Sequence, residues 1–320
     1  MKLTKIKLLL TGGTIASVAT KNGILPQQPQ GKPLLLKEFE KNHSELKNKV
    51  QFDCDLVLNK LSENMELSDW EHILYYLKSN SFCEYDGIII AHGTDTLAFF
   101  ANMLSVFEKD LPPVYIVSSD KVLIDSSANG NENFACAVTE LMTGKIKQGV
   151  FVPYRNCDGK MIIHKGFQIT QSGILSNDFY SSESIPPEHK SLKYFNGFKK
   201  GVILLNSYVG MDLSVIDLTN VTSLIITSYH GGTTNEKELL KLMERLNKKD
   251  DARLSQMQNV SLSLASANYL ETENQYASTV KLQKQGVRII YKKTIETAYA
   301  EELCSQCNSD VVSTLPLENL

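Results

Sequence analysis

Apolar residues follow two alternating rhythms along this chain. Compact runs, as at 3–10, 86–91 (with Gly87-Ile88-Ile89-Ile90) and Val114-Tyr115-Ile116-Val117, read as buried strands. So do 52–58 and 149–152. Between them, apolar residues recur three and four apart. Trp70, Ile73, Leu74 and Leu77 have this helical spacing, and Ser68 with Glu71 predicts a capping box at the start of their helix. Phe99, Phe100, Met103, Leu104 and Phe107 mark a helix over about 96–109, before Pro112-Pro113. Another covers about 132–143 and stops at Gly144. Residues 17–34, with Gly23, Pro26, Pro29, Gly31 and Pro33, break the rhythm. They read as a long loop, either a lid beside a site or a plain surface excursion.

Strands alternating with helices predict an α/β fold with a doubly wound, largely parallel sheet. Residues 176–198 are rich in Ser, Pro, Lys and Asn and read as a linker. Beyond them the alternation resumes: strands at 201–206, 222–228, 259–265 and 287–291, and helices at 235–248, 275–285 and near 295–307. We therefore expect a catalytic domain over 1–180, a linker over 181–199 and a smaller α/β domain over 200–320.

Composition narrows the function. A net charge of −3 gives no footprint for nucleic acid or an anionic membrane. No apolar stretch approaches the roughly 18 residues that would span a bilayer. Met1 to Leu10 is interrupted by lysines and runs into Gly12-Gly13, so it reads as a first strand rather than a signal segment. Of the six cysteines, only Cys304 and Cys307 form a C-x-x-C, without a second pair to complete a zinc site.

Two loops carry candidate chemistry, each just after a predicted strand. Thr11-Gly12-Gly13-Thr14 puts a hydroxyl on a tight glycine turn, where backbone N–H groups are free to stabilise an oxyanion. Thr14 is equally suited to capping a helix. Ala91-His92-Gly93-Thr94-Asp95-Thr96 offers more polar groups than one helix cap needs. Asp95 suits an ammonium group, and Thr94 a proton or a water. His92 reads as a packed, hydrogen-bonded residue rather than a base. Strand-end loops of open α/β sheets are where ligands bind. Gly-Gly-Thr-Ile-Ala-Ser lacks the full dinucleotide fingerprint, and no ligand cluster has metal spacing, so no cofactor or metal is expected.

Thr11-Gly12-Gly13-Thr14-Ile15-Ala16-Ser17 together with His92-Gly93-Thr94-Asp95-Thr96 closely resembles the two signatures of the bacterial-type L-asparaginase (asparaginase/glutaminase) family. The likeness extends through Ser62-Glu63-Asn64-Met65 and Tyr85-Asp86-Gly87, and in outline to Ser228-Tyr229-His230-Gly231-Gly232. It looks most like the cytoplasmic, type I branch. The resemblance implies that Thr14 attacks the side-chain amide of asparagine, ammonia leaves, and the acyl-enzyme is hydrolysed. It implies that Thr94 works in a relay with Asp95 and a lysine. Asp95 also holds the substrate amine, and Ser62, Glu63 and Gly93 line the substrate pocket. A homodimer or homotetramer is implied, with a small amino-acid substrate and neither nucleic acid nor membrane as partner.

Anchoring on Asp158-Gly159, Gly166 and Tyr180 places Gln171 where the family has its relay lysine. Lys165, Lys160 and, from another strand end, Lys121 are the alternatives. Asn129 stands where an aspartate is common, and Ile24 near a position often held by tyrosine. Three functions follow: an amidohydrolase on L-asparagine, an amidohydrolase on a different amide, or a non-catalytic amino-acid-binding protein.

Overall fold

A computed structural model describes residues 3–21, 23–26, 31–248, 254–264 and 276–307. The chain opens with β1 (Thr4–Gly12), a hairpin of β2 (Ser17–Thr20) and β3 (Gly23–Pro26), and helix α1 (Leu34–Asn42). β4 (Val50–Lys60), α2 (Leu67–Ser79), β5 (Gly87–Ala91), α3 (Leu97–Ser105), β6 (Val114–Val117), α4 (Gly130–Thr143) and β7 (Val150–Arg155) follow. The sheet they form runs β4-β1-β5-β6-β7, all parallel. It is closed by the antiparallel edge strand β8 (Met161–Lys165).

Period-two alternation builds one core on each face of the sheet. Ile6, Leu8, Leu10 and Ile89 point to the side covered by α1 and α4. Leu9, Ile88 and Ile90 point to the side covered by α2 and α3. Strands buried on both faces read as continuous apolar runs, which is why β5 is Gly87-Ile88-Ile89-Ile90-Ala91. The strand order reverses direction between β1 and β5. The carboxyl ends of those two strands therefore flank the switch-point crevice, where the two threonine loops lie.

Short strands β9 (Ile169–Thr170) and β10 (Tyr180–Ser181) pair antiparallel and lead out of this unit. The second sheet, β11 (Val202–Asn206), β12 (Ser223–Thr227), β13 (Asn259–Leu264) and β14 (Arg288–Tyr291), is wholly parallel. Helices α5 (Glu236–Lys248) and α6 (Ala277–Lys284) pack in its core through Leu239, Leu242 and Leu282. The last helix, α7 (Ile295–Leu303), packs on α3, and Ala300, Leu303, Cys304 and Cys307 are buried in the first core.

Several local expectations change. Residues 17–20 and 23–26 pair as a hairpin rather than open loop, and α1 starts directly after Pro33, so the breakers at Gly23 and Pro33 bound elements. Helix α2 starts two residues earlier than Ser68 as its N-cap would allow. Its capping box is Glu66 with Asp69, and Glu71 instead accepts a 2.8 Å hydrogen bond from Phe198 N. The expected linker is packed, because Phe179, Leu192, Phe195 and Phe198 are buried in the first core. Residues 27–30 of the proposed lid, and the chain from 308 on, lie outside the described residues. No helix among the described residues is long and apolar enough to cross a membrane.

Candidate functional site

Three strands in a row, β4, β1 and β5, end in single 3-10 turns: Ser62–Asn64, Thr14–Ala16 and Thr94–Thr96. Glycines allow them to touch. Gly13 has φ 76°, and a Cβ there would lie 2.4 Å from the Gly93 Cα. A Cβ on Gly93 would lie 2.3 Å from Ser62 Oγ. Gly13, Gly93 and Ser62 are thus stacked backbone to side chain, which binds the two signature loops and the β4 end into one surface. Gly13 N also donates to Lys60 O at 2.8 Å.

Ser62 is buried and acts as a clip. Its Oγ donates to Asp95 Oδ2 and accepts from Asp95 N, both at 3.2 Å. Asp95 is exposed, Thr14 and Thr94 are half-buried, and Glu63 is exposed. Among the described residues no hydrogen bond engages the hydroxyl of Thr14 or of Thr94, so both are available to a substrate. The structure thus brings Gly93, Thr94, Asp95 and Ser62 into direct contact, sets Thr14 one residue beyond the Gly13–Gly93 contact, and places Glu63 on the adjoining turn.

His92 lies beneath this surface with no exposure and stacks on Phe100 with ring centroids 4.4 Å apart. The Thr11 hydroxyl donates to Ala91 O at 2.8 Å, so His92 Nδ1, also 2.8 Å away, donates to Thr11 Oγ1. Nε2 then accepts from the Thr96 hydroxyl at 3.0 Å. Burial lowers the imidazole pKa to about 3. His92 is therefore a neutral strut between the loops, as its apolar surroundings in sequence suggest.

The candidate relay residues have distinct partners. Lys121 donates to Ser127 Oγ at 2.6 Å, Lys160 pairs with Asp158 at 2.9 Å, and Lys165 sits over the Phe167 ring. Among the described residues no lysine amine hydrogen-bonds to Thr94 or Asp95. Gln171 is the residue that arrives: its Nε2 donates to Asp95 O at 2.7 Å. Asn129 braces the neighbouring loop, exchanging backbone–side-chain bonds with Asp120 and donating to Arg155 O.

One residue with no signal in the sequence joins the site's support. Glu296 at the start of α7 accepts from Gln171 N at 2.7 Å and is 2% exposed. Burial pushes its carboxyl above the ordinary range. Among the described residues no group of three or more His, Cys, Asp or Glu is placed to hold a metal ion.

The protein is a doubly wound α/β unit with its strand-end turns fused at the switch point, and comparison with known proteins specifies its family. The family described as "Asparaginase, N-terminal" matches residues 5–195, so the chain belongs to the asparaginase family. It is 29% identical over 202 residues to a subunit of the glutamyl-tRNA(Gln) amidotransferase of Thermoplasma volcanium, covering 61% of this chain and 48% of that protein. The corresponding subunit from Methanosarcina acetivorans is 27% identical over 237 residues, covering 68% and 55%. The chain thus matches about half the length of these relatives.

Solved structures extend the likeness over nearly the whole fold. The thermostable L-asparaginase of Thermococcus kodakarensis has a TM-score of 0.72 at 18% identity, covering 96% of this chain and 94% of that one. L-asparaginase I of Vibrio cholerae has 0.68 at 21%, covering 96% and 94%. A probable cytoplasmic L-asparaginase of Campylobacter jejuni has 0.68 at 18%, covering 94% of each. At these identities the likeness is one of fold.

Proposed function

We propose that this chain hydrolyses the side-chain amide of L-asparagine to L-aspartate and ammonia through an acyl-threonine. The observation that carries this is the Gly13–Gly93–Ser62 contact, which fuses the Thr14 and Thr94 loops into one surface at the switch point. Thr14 is the nucleophile, half-buried on the glycine turn at the end of β1. Asp95, held by Ser62 at both its carboxylate and its N–H, binds the substrate ammonium. Thr94 orients the proton acceptor or the deacylating water, and Glu63 and Gly93 complete the pocket. The enzyme works in the cytoplasm as a homodimer or homotetramer.

The test is ammonia release from L-asparagine. The intact protein should turn over, and Thr14→Ala should lower kcat by about 10³-fold or more while the protein stays folded. No ammonia from any amide at high enzyme concentration would reject this reading.

A second reading is favoured by Gln171, a neutral amide where the family resemblance implies a relay lysine. A glutamine cannot carry a proton as an amine does. This supports slower chemistry, a different amide substrate, or binding without turnover. The amidotransferase relatives point the same way, to an amide group in a larger context. A panel of amides beside calorimetry with aspartate separates these outcomes. Strict preference for free asparagine removes the second reading.

A further inference from the structure

We propose that Glu296 is a positioning residue for the candidate site, acting through Gln171 to fix the Asp95 end of the Thr94–Asp95 turn. The inference rests on the reading of that turn as part of the active site.

Gln171 faces two ways. Its side-chain Nε2 donates to Asp95 O and its backbone N donates to Glu296 Oε1, each at 2.7 Å. One residue therefore bridges the β5 strand end and the first turn of α7. An acidic residue in a helix's first turn is favoured by the helix dipole, and a solvated one serves that purpose. Glu296 is instead buried, which is costly unless the carboxyl is used. Its carboxyl meets its own backbone N–H and the Thr294 side chain, and Oε1 also reaches out of the helix to Gln171 N.

The start of α7 is itself fixed to the site's helix. Thr294 caps α7 by accepting from Thr297 N at 2.9 Å and donates to Asn102 Oδ1 at 2.8 Å. Thr297 Oγ1 also donates to Asn102 Oδ1. Fully buried Asn102 returns both amide hydrogens, to Ala98 O at 2.8 Å and Ile169 O at 2.9 Å. Asn102 lies on α3, which continues from the Thr94–Thr96 turn, and Ile169 is two residues before Gln171. The bonds close a ring: Asp95, α3, Asn102, Thr294, α7, Glu296, Gln171 and back to Asp95. A ring of this kind holds its members more rigidly than separate contacts do.

Two oxygens in the ring are buried and unpartnered: Gln171 Oε1 and Glu296 Oε2. With its proton on, Glu296 presents one acceptor oxygen and one donor. A glutamine at 296 offers the same acceptor and donor pair without charge. An aspartate keeps the charge and the favourable helix-terminal placement, but its carboxyl is one methylene short of Gln171 N.

Glu296→Asp and Glu296→Gln thus separate positioning from charge, and Gln171→Ala removes the link. Amide hydrogen exchange of the segment 92–97 is the direct readout, with asparagine turnover beside it. Glu296→Asp should speed exchange at 92–97 about tenfold or more and lower kcat about 10–100-fold with little change in KM. Glu296→Gln should stay within about threefold of the parent in both. In the Gln171→Ala background, Glu296→Asp should add less than about twofold.

Unchanged exchange at 92–97 in Glu296→Asp overturns the proposal. So does a full loss in Glu296→Gln, or an undiminished effect of Glu296→Asp without the Gln171 side chain. A parent protein that neither turns over amides nor binds aspartate overturns the proposed function instead, and the exchange result still decides the positioning.

Discussion

The turn at Thr94–Asp95 is bonded from several sides, whereas the turn at Thr14 is bonded mainly to itself. Asp95 is held by Ser62 through its carboxylate and its N–H, and by Gln171 through its carbonyl. His92 and Ser118 fix the strand end below it, the latter donating to His92 O at 2.8 Å. The Thr14 turn closes on its own Gly13 O, which accepts from Ala16 N and from Ser17 Oγ. After it the chain enters a four-residue-a-side hairpin with Ile24 and Leu25 exposed. A group that must hold a substrate ammonium gains from being fixed in advance. The proposed nucleophile, Thr14, must instead form and break a bond, on a turn set by the Gly13–Gly93 contact and the Gly13 N–Lys60 O bond. The division of labour predicts that damage on the two sides has unequal consequences.

The largest effect is expected where the two sides meet. Gly93→Ala puts a Cβ 2.3 Å from Ser62 Oγ and 2.5 Å from Ser62 Cβ. Gly93 has φ −80°, so backbone strain is not the reason; the clash is purely steric. Ser62 must move, and with it both of its bonds to Asp95. Turnover should fall about 10³-fold, with a stability loss of about 1–3 kcal/mol from overpacking. Kinetics beside thermal unfolding checks this, and a variant with near-parental kcat would show that the contact is not what aligns the loops.

A smaller effect separates the sides by charge. No residue from Thr11 to Val18 titrates, but the Thr94 side rests on neutral His92. Its pKa is lowered by burial from 6.5 to about 3. A depressed folded-state value means full stability above about pH 6.5, and loss as the pH falls toward 3, because only the unfolded chain takes up the proton in that window. At pH 5 the loss amounts to roughly 2 kcal/mol. His164, lowered to about 4, contributes in the same direction. His92→Gln, which keeps one donor and one acceptor, should flatten the slope of melting temperature between pH 6.5 and 5 relative to the parent. An unchanged slope would mean that His92 is not held neutral.

The candidate site is gathered largely from short sequence motifs, and the exceptions have physical reasons. Gly13, Thr14, Gly93, Thr94 and Asp95 stand in short motifs, because strand-end turns gather their chemistry from neighbours in sequence. Gln171 could be placed from Asp158-Gly159, Gly166 and Tyr180, and its side chain is the one that reaches Asp95 O, while Lys165, Lys160 and Lys121 are engaged elsewhere. Glu296 was invisible. It lies 125 residues from Gln171, and a buried glutamate in a helix's first turn looks no different in sequence from a solvated one. The residues 176–198 misled because their Ser, Pro and Lys outweighed Phe179, Phe195 and Phe198, whose rings are buried. Ser68 misled because Glu66 and Asp69 cap the same helix as acids, a pairing outside the usual Ser/Thr pattern.

The smallest effect is expected at the tip of the hairpin after Thr14. Gly23 has φ 109°, and a Cβ built on it meets nothing within 4 Å. Gly23→Ala therefore strains one residue without displacing any neighbour, costing about 1 kcal/mol. The Thr14 turn meets this hairpin at its base, where Ser17 Oγ donates to Gly13 O, and Gly23 lies at the opposite end, so the turn should not shift. Turnover should stay within about twofold of the parent, while exchange at 17–26 rises. Gly93→Ala and Gly23→Ala are the same chemical change on opposite sides of the site. If Gly23→Ala proved as damaging to turnover as Gly93→Ala, the hairpin would be part of the nucleophile's frame, and the Thr14 turn would depend on distant contacts as Asp95 does.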